Sequence, residues 1–320
     1  MAIRDASAIV GVDVALAELV IAWRGNDRTS TVRNDRASIS EWLRTLPAGS
    51  AIALEATNTY HLNMAELAHD KGHRVFIVDA ACVGKYRDSL GKRAKTDACD
   101  AHLLARYLEK EGDELRQWNP PLELHTRLKR LLHRRAGLVT TQTALRQGWA
   151  GEALLEERFD RLMHEFDALE KAIEQELKRL LIEADQMHQV KRCQKIEGIG
   201  FLTATGLLTA YLRGDFKNSD AFISYLGLDL RVSDSGNKSG RRRLSKKGDP
   251  EIRRLGHNAS MAACRSANWA PFYQKKLDEG KAKTEALVIL TRKLARVAFT
   301  LMRNQSEYDP MRRLRVAPQT

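Results

Sequence analysis

The sequence has little cysteine and no long apolar run, and each shortage excludes a class of protein. Only four of the 320 residues are cysteine, and they are scattered without the spacing of zinc ligands or of a disulfide framework. No run approaches the roughly eighteen apolar residues of a membrane span. The N-terminus also lacks the apolar core of a signal peptide. We therefore expect a cytoplasmic protein with reduced thiols.

Acidic residues are in deficit relative to basic ones. The 53 Lys and Arg residues exceed the 41 Asp and Glu residues, which gives a net charge of +12 and a pI near 9.6. This balance favours a polyanionic partner such as DNA or RNA, without showing which. The length leaves room for two or three domains, each able to bury a core.

Short apolar runs alternate with helical patterns in residues 1–115. Two of these runs end in an acid: residues 8–13 end in Asp13, and residues 50–55 end in Glu55. Further strands are predicted at 18–23, 29–33 and 74–78, and helices around 39–43 and 60–71. An antiparallel meander followed by alternating strands and helices predicts an α/β domain with a mixed sheet.

The stretch 95–107 predicts the start of a helix whose first turn carries two carboxylates. Thr96 can cap this helix, and the spacing of Asp97 and Asp100 places both side chains on one face. Acids in a first turn also complement the helix dipole, which is an equally simple explanation. The pair alone therefore does not decide between a structural and a functional role.

Acids from three separate segments of the sequence can meet at one end of the predicted sheet. Four ionised carboxylates cannot share a site without a divalent cation, and oxygen ligands without His or Cys select Mg²⁺ or Mn²⁺. Two such ions about 4 Å apart can clamp both sides of a phosphodiester displacement, as in RNase H-like and RuvC-like nucleases. Each acid singly is explained as well by a strand end or a surface position. The set comprises Asp13, Glu55, Asp97 and Asp100.

Residues 116–190 have a helical composition, interrupted at 149–151. Apolar side chains recur at alternating steps of four and three, which is typical of a coiled-coil seam. A helical hairpin within one chain and an interface between chains explain this seam equally well. The seam comprises Leu155, Phe159, Leu162, Phe166, Leu169, Ile173, Leu177 and Leu180.

Residues 191–306 predict a mostly helical domain that contains an unusual loop. The glycines in 196–204 resemble the turn of a helix-hairpin-helix element, although an ordinary helix-helix turn is an equal alternative. The loop 231–248 is the densest in Ser, Gly and cations, and a solvated linker that binds phosphates without specificity is its simplest explanation. We expect the tail 307–320 to be disordered.

An ordered set of short motifs gives the chain a family resemblance. In sequence order they are IVGVD, ALEATNTYH, KTDACDA, EGIG, SYLGL, DSG and SKKGDPEIRR. The set resembles the DEDD transposases of the IS-one-ten class of insertion sequences and the related pilin-gene DNA invertases, over roughly residues 9–303. The resemblance implies that Asp13, Glu55, Asp97 and Asp100 are metal ligands of a RuvC-like domain. It also implies that Ser235 is the nucleophile, with Ser233, Ser239 and Ser245 as rivals. After Leu226 the chain departs from the pattern of many members, which have a proline there.

The chemistry of such a site requires positive charge as well as a serine. A serine hydroxyl is a poor nucleophile at neutral pH and needs a base, a metal or a cationic setting. A phosphoserine link would retain the phosphodiester energy, so strands could be cut and resealed without ATP. The cations that we predict to contact nucleic acid are Lys92, Arg93, Lys95, Lys238, Arg241, Arg242, Arg243, Lys246, Lys247, Arg253 and Arg254.

The functional prediction is a bacterial, nucleoid-associated transposase that uses Mg²⁺, with Mn²⁺ as a substitute. The resemblance implies a bridge RNA that pairs with element-end and target DNA, and a homo-oligomer, either dimer or tetramer, with composite active sites. Three alternatives are a site-specific invertase, a hydrolytic RuvC-like nuclease in which the serine is idle, and a non-catalytic nucleic-acid-binding protein.

Overall fold

The computed structural model describes residues 3–91, 96–231 and 242–310. The chain divides into two compact units, Met1–Pro120 and Pro121–Thr320. The first unit contains a mixed sheet with helices and the second is almost entirely helical, which confirms the predicted fold class at this level. The finer division into domains at 1–115, 116–190, 191–306 and 307–320 stays a prediction.

The first unit is built on a five-stranded sheet of order β3-β2-β1-β4-β5. Strands β1 to β3 form an antiparallel meander, whereas β4 runs parallel to both β1 and β5. The strands are β1 (Ile9–Val14), β2 (Glu18–Trp23), β3 (Thr29–Arg33), β4 (Ala51–Glu55) and β5 (Arg74–Val78). The helices are α1 (Arg36–Thr45), α2 (Leu62–Asp70), α3 (Ala80–Ser89) and α4 (Asp97–Glu111).

Both faces of this sheet are covered, and the alternation of side chains assigns each residue to one face. Val10, Val12 and Val14 of β1 enter one core, which also contains the buried side chains of α1 and α2. Successive side chains of a strand point to opposite faces. Gly11 and Asp13 therefore lie on the other face, where Leu104 and Leu108 of α4 pack in a second core.

Helix α3 was not predicted. Its sequence, AACVGKYRDS, offers only Val83 as a fully buried side chain. No apolar stripe of helical period marks this sequence. Asp79 caps the helix by accepting a hydrogen bond from the Ala81 N–H at 2.8 Å.

The second unit is a helical assembly around one large core. Its fully buried side chains include Phe222, Trp269 and Leu290. The first helices are α5 (Glu123–Gly148), α6 (Glu156–Glu183), α7 (Met187–Gln194), α8 (Phe201–Tyr211) and α9 (Ser219–Tyr225). The short strands β6 (Leu230–Arg231) and β7 (Arg243–Leu244) precede α10 (Pro250–Ala263), α11 (Ala270–Asp278) and α12 (Lys283–Asn304). None of the helices in the described ranges has the length and apolar character to cross a membrane.

Helices α5 and α6 form an antiparallel hairpin that buries only part of the predicted seam. Arg127 of α5 lies 3.7 Å from Glu176 of α6, and Arg135 lies 2.7 Å from Glu170. The C-terminal end of the seam is buried, whereas Leu155, Leu162 and Leu169 are exposed. The C-terminal part of the seam therefore packs within the chain, and its N-terminal part is an apolar stripe that the described chain leaves exposed.

The glycine turn 196–204 packs tightly against helix α10 of the second unit. Gly198 has a φ of +88°, and a Cβ there would lie 2.4 Å from the Ala259 carbonyl oxygen of α10. Glu197 accepts hydrogen bonds from Trp269 Nε1 at 3.1 Å and from the Tyr308 hydroxyl at 2.8 Å. This glycine is therefore required by internal packing, and the helix-hairpin-helix interpretation stays a prediction. The contact also shows that residues just beyond α12 are held against the core.

Candidate active site

Strand register places Asp13 and Glu55 side by side. The parallel pair β1 and β4 runs from Ile9 opposite Ala51 to Val12 opposite Leu54. The two acids are the next residues along these strands, and both side chains are half-buried. They lie on the sheet face that α4 covers. Two of the four predicted acids therefore reach one edge of the sheet on one face.

Gly11 allows α4 to cross directly over this edge. A Cβ at Gly11 would lie 2.1 Å from the Ala101 carbonyl oxygen and 2.4 Å from the Ala105 nitrogen of α4. Any other residue would push the helix away from the sheet. We did not single out this glycine from the sequence, although a glycine inside an apolar strand is a known sign of close backbone approach.

The first turn of α4 carries the other two acids. Thr96 caps the helix, as predicted, by accepting a hydrogen bond from the Cys99 N–H at 3.2 Å. Asp97 is exposed, whereas Asp100 is 6 % exposed. The crossing at Gly11 and the cap at Thr96 together fix where this turn begins relative to the sheet edge.

Arg87 of α3 supplies the counter-charge to Asp100. Its Nη2 lies 2.5 Å from Asp100 Oδ1, and both side chains are largely buried. A buried carboxylate is stable only when it is paired and hydrogen-bonded. We did not predict the role of this arginine, because it belongs to helix α3, which was not predicted. In addition, no spacing in the sequence indicates a contact between two helices.

Burial and the other three carboxylates raise the pKa of Asp13. Burial raises its pKa most, followed by repulsion from Asp97, Glu55 and Asp100, and the resulting pKa is about 6. A hydrogen bond from the Val14 N–H, at 3.1 Å, opposes this rise in part. The four acids therefore form one electrostatic cluster, and ionisation of Asp13 within it is less favourable than that of an ordinary aspartate.

The donor set of this cluster suits a hard divalent cation. Within residues 3–91, 96–231 and 242–310, no three His, Cys, Asp or Glu side chains are already drawn together as ligands around one point. The cluster nevertheless contains only carboxylate oxygens, which Mg²⁺ and Mn²⁺ prefer. The mutual repulsion at Asp13 is also what a bound cation would relieve. By their chemistry these residues fit the ion.

The predicted nucleophile lies in the second unit, between β6 and β7. Ser235 and its rivals Ser233 and Ser239 fall outside the described residues, but the base of their hairpin is well defined. Leu230 pairs with Leu244, and Arg231 with Arg243. Ser245, the remaining rival, is buried and donates a hydrogen bond to Asp229. Its hydroxyl is therefore engaged in closing the hairpin.

Two close backbone contacts anchor this hairpin to the helices. A Cβ at Gly227 would lie 2.4 Å from the Gly248 nitrogen, so the two chain segments touch directly. Arg253 of α10 donates hydrogen bonds to the carbonyl oxygens of Gly248 and, at 3.4 Å, of Leu226. The ends of the serine hairpin are therefore fixed to α9 and α10.

The predicted nucleic-acid contacts divide into three groups. Lys92, Arg93, Lys95, Lys238 and Arg241 lie outside the described residues. Arg253 and Arg254 have protein partners, since Arg253 holds the turn at Gly248 and Arg254 pairs with Glu251 at 2.7 Å. The others surround the base of the hairpin or follow it, and their contacts with nucleic acid stay predictions: Arg242, Arg243, Lys246 and Lys247.

Two protein-family models match this chain in the order of its two units. A DEDD transposase model, described as Transposase, matches residues 10–159. A second model, described as Transposase IS116/IS110/IS902 family, matches residues 190–274. The first match contains all four acids and the second contains Ser235. These two matches and the relatives of the chain indicate a DNA recombinase that acts by phosphoryl transfer.

The chain therefore carries two transposase domains of the IS110/IS116 type. It is 28 % identical to the pilin gene-inverting protein of Moraxella bovis over 266 residues, which are 81 % of each chain. The corresponding protein of Moraxella lacunata is 27 % identical over the same shares. A probable family 20 transposase of Pseudomonas aeruginosa is 26 % identical over 94 % of this chain and 98 % of its own length.

Proposed function

We propose that this transposase cuts and rejoins DNA strands by attack of Ser235 on a phosphodiester, assisted by a divalent cation at the acid cluster. The observation that carries the proposal is the convergence of Asp13, Glu55, Asp97 and Asp100 at one sheet edge, with repulsion felt at Asp13. The arrangement supports a RuvC-like role for this unit. When bound, Mg²⁺ would supply the positive charge that phosphoryl transfer requires.

The protein residues have separable tasks in this scheme. The strand ends and the first turn of α4 would hold the ion, while Arg87 pairs with Asp100 and orients its carboxylate. The cations around the base of the hairpin would orient the DNA phosphate. The bond from Ser235 Oγ to phosphorus forms as one sugar-oxygen bond to phosphorus breaks. The serine proton ends on the departing sugar hydroxyl, so no water or ATP is consumed.

The experiment that tests this mechanism is detection of the covalent adduct. Protein, Mg²⁺ and end-labelled element DNA should yield a protein-DNA species that survives denaturing electrophoresis. Ser235→Ala should abolish the adduct, whereas Ser245→Ala should retain it because that hydroxyl only closes the hairpin. Cleavage without an adduct would favour the hydrolytic nuclease. Absence of any metal-dependent breakage would favour a non-catalytic binding protein.

Guidance by a bridge RNA is the finer part of the proposal. The resemblance to the IS-one-ten class supports it, together with the net charge of +12. Adding the non-coding RNA transcribed beside the gene should make strand exchange depend on both RNA loops. Full activity without RNA would favour a site-specific invertase. The Moraxella relatives are named as pilin gene-inverting proteins.

We further propose that the active site is composite, with acids from one chain and serine from another. Leu162 and Leu169 on α6, with Leu155 directly before the helix, form an exposed apolar stripe at heptad spacing that could pair two chains. Asp97→Ala and Ser235→Ala proteins, each inactive alone, should regain part of their recombination activity after subunit exchange. Hetero-oligomers that form no covalent adduct would place both halves of the site in one chain. Whether the assembly is a dimer or a tetramer would be read from its mass.

A further inference from the structure

Charge is divided unequally between the two helices of the α5–α6 hairpin. Helix α5 carries six Lys and Arg residues against a single acid, Glu123 at its start. Helix α6 carries five Lys and Arg residues against nine acids. From residue 124 to residue 148 the chain contains no Asp or Glu. One side of the hairpin is therefore basic and the other acidic.

The acids of α6 neutralise only those cations of α5 that face them. Arg135 contacts Glu170 at 2.7 Å and Glu174 at 3.3 Å. Arg146 lies 3.6 Å from Asp167, in the same antiparallel pairing. These ion pairs explain the side chains at the helix-helix contact. They leave the outward-facing cations of α5 unexplained.

Arg130 and Arg134 lie one turn apart on the outer face of α5 and are both exposed. Within the described part of the chain, neither guanidinium has an acidic partner. Lys129 precedes Arg130 in the same helix, and its Nζ lies 4.0 Å from Asp249 Oδ2, which is a long ion pair. We call the exposed surface formed by Lys129, Arg130, Arg134, Gly137 and Thr141 the basic face of α5.

Gly137 continues this face in the middle of a 26-residue helix. Glycine inside a helix is less favourable than alanine because it loses more backbone freedom on folding. No atom of the described chain lies within 4 Å of where a Cβ would be. Internal packing therefore gives no reason for a glycine here, and the helix backbone is open to close approach from outside.

We propose that the basic face of α5 binds the phosphate backbone of duplex DNA. Adjacent unpaired guanidinium groups suit two phosphates, and Gly137 would allow the sugar-phosphate chain to lie against the helix. The acidic face of α6 repels the same backbone, so DNA can occupy only one side of the hairpin. The DNA major groove also admits a helix, whereas that of duplex RNA is too narrow.

The proposal rests on the proposed function only in taking DNA as the substrate, so its test measures binding without strand cleavage. Anisotropy of a labelled DNA duplex is titrated in EDTA at several salt concentrations with the full-length protein. The double variant Arg130→Gln, Arg134→Gln should bind about tenfold more weakly at 0.15 M salt, and its salt slope should fall by about two. The matched control Arg158→Gln, Lys171→Gln removes the same charge from α6 and should change the affinity less than about twofold. Equal losses in both variants would overturn the proposal.

Two further arms sharpen this test. Gly137→Ala should raise the melting temperature by about 2 °C, because alanine favours the helix, yet weaken DNA binding at least about threefold. Raised stability with unchanged binding would overturn the close contact. A duplex RNA of the same sequence should be bound with similar affinity by the wild type and the double arginine variant. A loss on RNA as large as that on DNA would overturn the assignment to DNA.

Discussion

In the first unit four carboxylates act on one another electrostatically, whereas in the second unit the serine hairpin is closed by bonds between complementary groups. Asp13 is repelled by three neighbouring acids, and Arg87 pairs with one of these, Asp100. At the hairpin, Ser245 bonds to Asp229 and Arg253 bonds to backbone carbonyls. The acid cluster therefore carries a repulsion that a bound cation would relieve, while the base of the hairpin is held together by groups of the protein itself.

The largest expected effect comes from removing an exposed acid of the cluster, which the fold does not need. Asp97→Ala should lower strand cleavage at least about 100-fold, since a metal ligand is lost. DNA binding in EDTA should be unchanged because it depends on cations, and it should weaken steeply with salt. The control Asp27→Ala removes an exposed acid from a loop of the same unit. Normal cleavage by Asp97→Ala in Mg²⁺ would show that the tetrad is wrongly assigned. The same losses are expected for Asp13→Ala, Glu55→Ala and Asp100→Ala.

Arg87→Gln tests whether the acid site relies on the guanidinium group that pairs with Asp100. The change removes the charged partner of this buried carboxylate and should destabilise the protein by about 3–5 kcal/mol in EDTA. Millimolar Mg²⁺ should restore part of this loss, because the cation takes over the missing charge. Urea unfolding with and without Mg²⁺ measures both values. The control Arg36→Gln breaks an exposed pair with Glu66 and should cost less than about 1 kcal/mol. A loss that Mg²⁺ does not alter would contradict the assignment.

His125 gives the second unit a pH response opposite in sign to that of Asp13. Burial, then Lys129 and Arg213, lowers its pKa from 6.5 to about 4. The folded form therefore binds fewer protons than the unfolded form between these values. Stability is complete above pH 6.5 and is lost as the pH falls towards 4. Wild type should lose about 2 kcal/mol more than His125→Gln over this range, after allowance for solvent screening. The exposed His164→Gln should behave as wild type, and identical pH profiles for all three proteins would refute the prediction.

Two glycine substitutions in the first unit give the smallest expected effects. Gly11→Ala forces a methyl group into the backbone of α4 and should destabilise the unit by about 1–3 kcal/mol. It should also weaken cleavage, because the first turn of α4 moves away from the sheet edge. Gly84→Ala in α3 meets no atom within 4 Å and should stabilise by about 0.5–1 kcal/mol. Shifts of opposite sign in the denaturant midpoints of the two variants would support the close crossing. A stabilising Gly11→Ala would disprove it.

The strands and acids of the first unit could be predicted because they depend on local patterns. Apolar runs that end in Asp13 and Glu55 set both the strands and the position of the acids. The cap at Thr96 follows from residue type and spacing alone. Arg87 could not be predicted, because its role depends on how α3 packs against α4. The same holds for Gly11, whose meaning appears only when the crossing helix is present.

In the second unit the heptad pattern predicted the helices but not their partner. Leu177 and Leu180 are buried within the chain, whereas Leu162 and Leu169 in the same repeat are exposed. A sequence repeat fixes which face of a helix is apolar, not which surface covers it. Gly198 shows the same limit, because a motif associated with phosphate contacts is explained here by packing against Ala259.

The short base of the serine hairpin has a consequence for how the connection above it can change. Two residue pairs of β6 and β7, the bond between Ser245 and Asp229, and a hydrogen bond from Arg231 to the Ser245 carbonyl oxygen close it. Gly227, Gly248 and Arg253 anchor this base to the helices from outside the segment between β6 and β7. Changes within that segment therefore leave the contacts of the helical core untouched. The fold would tolerate divergence or peptide tagging at this site while the helices beneath stay the same.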